Sequence, residues 1–402
     1  MTKSKKKEKI IAQVKKVAQD SGKADRNMNG IENQVSDCMN NITNKCSDNS
    51  VSINMNINNG INRPVFDMIR TAAVLMVFTI HFLGYRNVEV PLFVFRFFEH
   101  CSYGVSFFFA ISGYLIMQSV NGSRNIKEYF VKRVSRIIPA YYAILVFGII
   151  VWDICLGKMP ADSMLGLGWL RYFLFLNVII PSNDYYFWND LWGLWTMSSF
   201  MLFYLLAPVI RKFVKSYKGS LLFMLIVVVV AYGSKAVIYR LMSSAGIANS
   251  AEFAGDFAVF NMISFSFGVV AWYAVKEMKD KQYLSFVILF LAGFLMIRED
   301  SYNRIIWALF AVAFMLSMKD FSYSAKTEWI GKVFSTFSKY SFTVYLIHMP
   351  ILQLLEHVSD NYTYLGVLPF TILTVVLVIV VAIVVNKFIE EPFAKLIRRI
   401  IK

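Results

Sequence analysis

From residue 63 onward the chain alternates long apolar runs with short polar segments. The runs are close to the ~20 residues that span a bilayer as a helix. They predict about ten spanning helices, near 66–85, 101–119, 138–156, 191–210, 220–240, 255–275, 282–297, 304–318, 338–357 and 365–387. An eleventh run, SMLGLGWLRYFLFLNVII (163–180), is an additional candidate. Residues 1–62 break the pattern: they are rich in Lys, Asn and Ser and hold no aromatic residue. Such a segment cannot bury a core and is expected to be a disordered basic tail, with residues 63–402 forming the membrane-embedded domain. Within the tail, Ile10, Ile11, Val14 and Val17 of KSKKKEKIIAQVKKVAQ fall on one helical face. That stretch reads either as a solvated tail or as an interfacial helix on anionic lipid.

Charge decides which runs cross. With 163–180 left out, Arg124–Arg136, Arg211–Lys218, Lys276–Lys281, Lys319–Lys332 and the basic C-terminus fall on one side, with the lysine tail. Counting it as a span would export Arg211, Lys212, Lys215 and Lys218, against the positive-inside rule. The segment is therefore read as re-entrant or lying on the surface, with Trp169, Tyr172 and the YYFW patch (185–188) at the outer interface. Both termini are expected in the cytoplasm, and the expected location is a multi-pass position in the plasma membrane.

Composition agrees with the pattern: 57% of residues are hydrophobic, 16% aromatic and only 17% charged. The formal charge of +15 is thus a matter of membrane topology, and no nucleic-acid partner is expected. The lysine-rich start predicts no signal peptide. Cys38, Cys46, Cys101 and Cys155 form no CxxC pair, so neither a disulfide framework nor a metal site is expected.

A few polar groups interrupt the apolar runs. The first span, FDMIRTAAVLMVFTIHFL (66–83), carries Asp67, Arg70 and His81. An ionisable group costs roughly 2.5–3.5 kcal/mol at a bilayer centre, so each one asks for a reason. His81 lies eleven residues beyond Arg70, roughly 16 Å along a helix and on nearly the same face. Asp67 is spaced to pair with Arg70. The ninth span holds a second histidine, His348, between Tyr345 and Pro350. Between the second and third spans, Lys132, Arg133 and Arg136 form a cationic cluster suited to phosphate, with Pro139 expected to open the next helix. Each signal has a plainer reading: a lone histidine can simply bond a neighbouring helix, and basic residues beside a membrane set topology or touch lipid. Gly and Ser in ISGYL (111–115) fit ordinary helix packing.

The order of these motifs resembles acyltransferase family 3, the integral-membrane acyltransferases of cell-surface glycans, over about residues 62–398. Arg70 through His81, in the context RPVFDMIR, resembles the family's first motif, a basic residue, ten others, then His. Arg133 and Arg136 match its RxxR motif; FFFAISGYLI resembles its second span, SFTVYLIHMP its late Tyr-Leu-x-His segment, and FIEEPF its usual end. One position departs. Where many members carry a glutamate in W-S-L-x-x-E-x-x-F-Y-L-L-x-P, this chain reads WTMSSFMLFYLLAP, with Phe200 in its place. Trp195, Phe203, Tyr204 and Pro208 keep the pattern, and Ser198, Ser199 and Asp153 are the candidate substitutes.

The resemblance implies an all-α, polytopic helix bundle that moves an acyl group, acetyl first among candidates, from cytosolic acyl-CoA to a hydroxyl of a surface glycan or lipid-linked saccharide. No bound cofactor is implied, because acetyl-CoA is a substrate. The expected roles are Arg70, Arg133 and Arg136 on acyl-CoA, His81 as general base, and His348 with Tyr345 orienting the acceptor or stabilising the oxyanion. Asp67 and Tyr204 are support. Two other classes share the features: a glycan transporter or flippase, and a non-catalytic scaffold of a glycan synthase.

Overall fold

The computed structural model describes residues 60–86, 98–151, 168–181, 189–277, 282–298, 304–362 and 364–401, with Pro91, Val94 and Gly157 between them. The basic tail up to residue 59 and the aromatic patch 185–188 lie outside the described residues. What is described is an all-α bundle. Its first members are α1 (Arg63–Arg86), α2 (Gly104–Gly122) and α3 (Ile126–Gly148), then the short α4 (Gly168–Phe173) and α5 (Trp195–Phe213). There follow α6 (Tyr217–Ser244), the short α7 (Ser250–Asp256), α8 (Ala258–Glu277), α9 (Gln282–Arg298) and α10 (Arg304–Ser317). The long α11 (Glu328–Asn361), α12 (Val367–Val385), a π turn and α13 (Glu391–Ile401) complete it. Among the described residues, six helices are long and apolar enough to cross a membrane, and the protein is a multi-pass membrane protein.

The centre of the bundle is α8, buried along almost its whole length, whereas α6 and α12 present Leu222, Val229, Leu368 and Val380 outward. Burial of α8 depends on close approach to α2. A side chain at Gly113 would overlap the backbone oxygen of Phe265, and one at Gly268 would overlap that of Ala110. Small residues let two backbones meet where lipid supplies no hydrophobic drive between helices. The packing reading of ISGYL is thus the one observed.

Helix directions follow from which residues meet. Tyr129 near the start of α3 bonds Tyr204 in α5, and Gly148 at the end of α3 lies against Leu191, just before α5. The two helices are therefore antiparallel, which requires that the segment between them not cross. Residues 168–180 instead form the six-residue α4 and a set of turns. Tyr141 and Tyr142 of α3 donate to the carbonyls of Tyr172 and Phe173 at 2.6 and 2.7 Å, satisfying groups that the short helix leaves open. By the same reasoning α1 and α11 are parallel, since Thr71 meets Phe334 and His81 meets His348. The start of α1 and the end of α12 share one end of the bundle: Asn62 bonds Lys319 and Phe321 in the loop before α11, and Lys339 of α11 bonds Glu391.

One sequence expectation changes here. Pro139 does not open the third helix. It lies inside α3, which starts at Ile126 with Asn125 as its N-cap, accepting from the Glu128 N–H at 2.8 Å. The cap and the Glu128 pairs with Arg124 and Lys132 extend the helix one basic, amphipathic segment earlier than hydrophobicity alone marks. Pro208 also sits within a helix; it leaves the Tyr204 carbonyl without its helical donor, and the Tyr129 hydroxyl donates to it at 3.0 Å.

Candidate active site

The parallel packing of α1 on α11 brings the two histidines together, with His81 and His348 ring centroids 5.3 Å apart. His348 is 2% exposed. Its Nδ1 lies in hydrogen-bond contact with the Tyr345 carbonyl one turn earlier, which can only accept, so Nδ1 carries the proton. Nε2 is then the lone-pair nitrogen, and it is buried with no partner among the described residues. The Tyr345 ring is 5.7 Å from His348, and its hydroxyl donates to the Gly193 carbonyl at 3.3 Å.

Tyr345 stands between two cavities. The first spans about 680 Å³, part of it open to the outside, and is lined by Arg70, Arg133 and Arg136 together with Phe200, Tyr204 and Tyr345. α1 supplies the first guanidinium and α3 the other two. Arg133 is steered by its Nε bond to the Ser119 hydroxyl at 3.0 Å, whereas Arg136 stays open to solvent. No carboxylate lines this pocket among the described residues, so its lining presents three cationic forks and no anion. Two expected members behave differently. Lys132 is bound to Glu128 at 2.7 Å and does not line the pocket. Asp67 pairs with Arg63 at 3.5 Å, not with Arg70, because its i+4 spacing faces back along the helix while Arg70 turns into the pocket.

The second cavity encloses about 1060 Å³. His81 lines it, with Tyr345, Ser106, Asp256, Asn261 and Arg304. Val105, Phe109 and Tyr345 line both cavities, so the wall between them is side-chain thin. Asp256, Asn261 and Arg304 were not among the site residues the sequence singled out. The available signal was a lone aspartate in the apolar stretch EFAGDFAVF.

The position of the departing residue is now plain. Phe200 lines the basic pocket and packs edge-on against Phe109 and Phe265, centroids 5.2 and 5.4 Å away. It is part of an aromatic cluster that also includes Phe203, stacked on Phe265 at 4.4 Å. Of the candidate substitutes, Ser198 is bonded to Asn177, holding the turn after α4. The Ser199 hydroxyl is buried, has no partner among the described residues and lines neither cavity. Asp153 lies outside the described residues. The carboxylate that does face the histidine cavity is Asp256.

No curated protein and no solved structure matches the chain at a significant level. A family model described as an acyltransferase domain matches residues 63–387, from the first residue of α1 to the π turn after α12. That match takes in both histidines, the three pocket arginines and the wall between the cavities. The chain belongs to acyltransferase family 3 and is a membrane acyltransferase.

Proposed function

We propose that this acyltransferase moves an acyl group, acetyl in the first instance, from cytosolic acyl-CoA to a hydroxyl of a surface polysaccharide or glycolipid. The observation that carries the reading is the pair of cavities sharing Tyr345, one lined by three arginines and the other by His81. A pocket lined by three guanidiniums and no carboxylate suits the phosphates of coenzyme A. The cationic flanks gathered at that end, including Lys132, Arg211, Lys212 and Lys339, are what the positive-inside rule asks of a cytoplasmic face. The protein would then sit in the plasma membrane with α1 beginning, and α12 ending, on the cytoplasmic side.

The chemistry uses this chain's residues as follows. The CoA phosphates rest on Arg133, Arg136 and Arg70, and the thioester reaches the wall at Tyr345. A hydroxyl entering from the other cavity gives its proton to the His81 imidazole as its oxygen attacks the thioester carbonyl. The carbon–sulfur bond then breaks, the CoA thiolate takes the proton from His81, and an ester and free CoA result. Positioned proton transfer of this kind contributes typically 10²–10⁴-fold. His348 takes a role different from oxyanion donor, because its Nε2 is a lone pair and its proton is held by the Tyr345 carbonyl. It is a positioning residue, presenting an acceptor nitrogen beside His81. The Tyr345 hydroxyl, which donates to the Gly193 carbonyl at rest, lies near the wall and would supply the oxyanion donor on turning away from that carbonyl.

The test is release of free CoA from acetyl-CoA by purified wild type and His81→Ala, given an extract of the host's surface glycans. Release by the wild type alone is expected. Full release by a well-folded His81→Ala overturns the base assignment. Absence of acetyl-CoA binding to the wild type overturns the donor, and moves the reading to transport or scaffolding.

A further inference from the structure

The two cavities differ in charge. The basic pocket has three guanidiniums and no lining carboxylate among the described residues, whereas the His81 cavity has one guanidinium, Arg304, and one carboxylate, Asp256. The latter two are bound to each other at 3.2 Å, with side chains 23% and 13% exposed. Arg304 also donates to the Asn261 carbonyl oxygen, and the Asn261 amide donates back to the Asp256 backbone carbonyl at 2.8 Å. The three side chains thus hold one another in place. They come from three helices: Asp256 ends α7, Asn261 is in the first turn of α8, and Arg304 begins α10. The same lining offers the hydroxyls of Ser102, Tyr103 and Ser106. Lys235 is near but not in the lining; its ammonium stacks on the Phe260 ring at 4.6 Å.

A rigid, charge-balanced set of planar donors and acceptors beside hydroxyls is suited to a ligand that is rich in hydroxyls and carries no charge. An anionic ligand would meet the Asp256 carboxylate, and like-charge contact discriminates strongly against it. We infer that Asp256, Asn261 and Arg304 form an acceptor subsite for an uncharged saccharide, oriented so that one hydroxyl reaches His81. The inference rests on the proposed transfer to a glycan, and adds the chemical class of the sugar and the residues that select it.

The experiment measures thermal stabilisation of the full-length protein in nanodiscs by three probes: glucose and N-acetylglucosamine tetramers, which are neutral, and tetragalacturonate. CoA is titrated in parallel. Wild type is expected to be stabilised by a neutral tetramer and not by tetragalacturonate. Asp256→Asn is expected to weaken neutral binding about tenfold, as loss of a charged hydrogen-bond partner does, and to gain affinity for tetragalacturonate at the freed Arg304. Its CoA response should stay at the wild-type level. Arg304→Lys keeps the ion pair and loses the fork, so it serves if Asp256→Asn does not fold, with weakened neutral binding and unchanged CoA binding expected. Stabilisation of wild type by tetragalacturonate alone, by no saccharide, or equally by neutral tetramers in wild type and variants overturns the inference. CoA titration separates the two readings: saccharide binding without CoA binding would leave the subsite standing and remove the transferase donor.

Discussion

The basic pocket and the histidine cavity lie back to back, yet they were built by opposite means. The pocket concentrates three arginines whose charges nothing in its lining offsets, and it is open enough that Arg136 reaches solvent. The cavity holds its charges in a closed network of Asp256, Asn261 and Arg304, and its titratable His81 faces a chamber lined largely by hydroxyl, aromatic and aliphatic groups. A cluster of like cations at a membrane surface attracts a polyanion, whereas a satisfied network spends its charge on orientation. On the proposed function, the difference means that one surface would recognise its ligand by charge and the other by shape and hydrogen bonding. Tyr345, shared between them, is where the two ligands would meet.

That contrast can be broken or sharpened by substitution. The largest effect is expected at the base: His81→Ala should lower the turnover rate by about 10²–10⁴-fold while leaving acetyl-CoA affinity unchanged, read by CoA release and by equilibrium binding. Next comes the basic pocket. Arg133→Ala should raise the donor KM about ten- to a hundredfold, the worth of a charged hydrogen bond, with the acceptor KM unmoved in steady-state kinetics. Phe200→Glu should fail to raise transfer and should cost about 1–3 kcal/mol of stability, because it exchanges two aromatic contacts for a carboxylate; a melting curve beside a CoA-release assay reads both. The smallest effect belongs to Lys132→Ala. Lys132 is occupied by Glu128 and lines neither cavity, so the donor KM should change less than about twofold, as is usual for an exposed ion pair.

Much of the fold was legible because the membrane makes hydrophobic length informative. The ten long runs correspond to helices, and the charge argument against a crossing at 163–180 agrees with the antiparallel pairing of α3 and α5. The start of α3 was not legible. Its first three turns are basic and carry no long apolar run, and a capping asparagine with ion pairs, not hydrophobicity, sets where it begins. Within the site, spacing along one helix placed Arg70 and His81 on a common stripe, and motif order brought in His348 and the α3 arginines. What spacing cannot give is contact between distant segments. The closeness of His81 to His348, the diversion of Lys132 to Glu128 and the choice of Arg63 over Arg70 by Asp67 are products of packing and rotamer. The Asp256–Asn261–Arg304 network joins three helices, and no spacing along one segment reveals it.

The central claim is that donor binding and proton transfer occupy separate, adjoining cavities. It is tested most directly by equilibrium binding of labelled acetyl-CoA to nanodisc preparations of wild type, His81→Ala and the double variant Arg133→Ala with Arg136→Ala. The account predicts wild-type binding in His81→Ala and at least a tenfold loss in the double variant, the scale of a lost charged contact. Loss of binding in His81→Ala, or wild-type binding in the double variant, would contradict it.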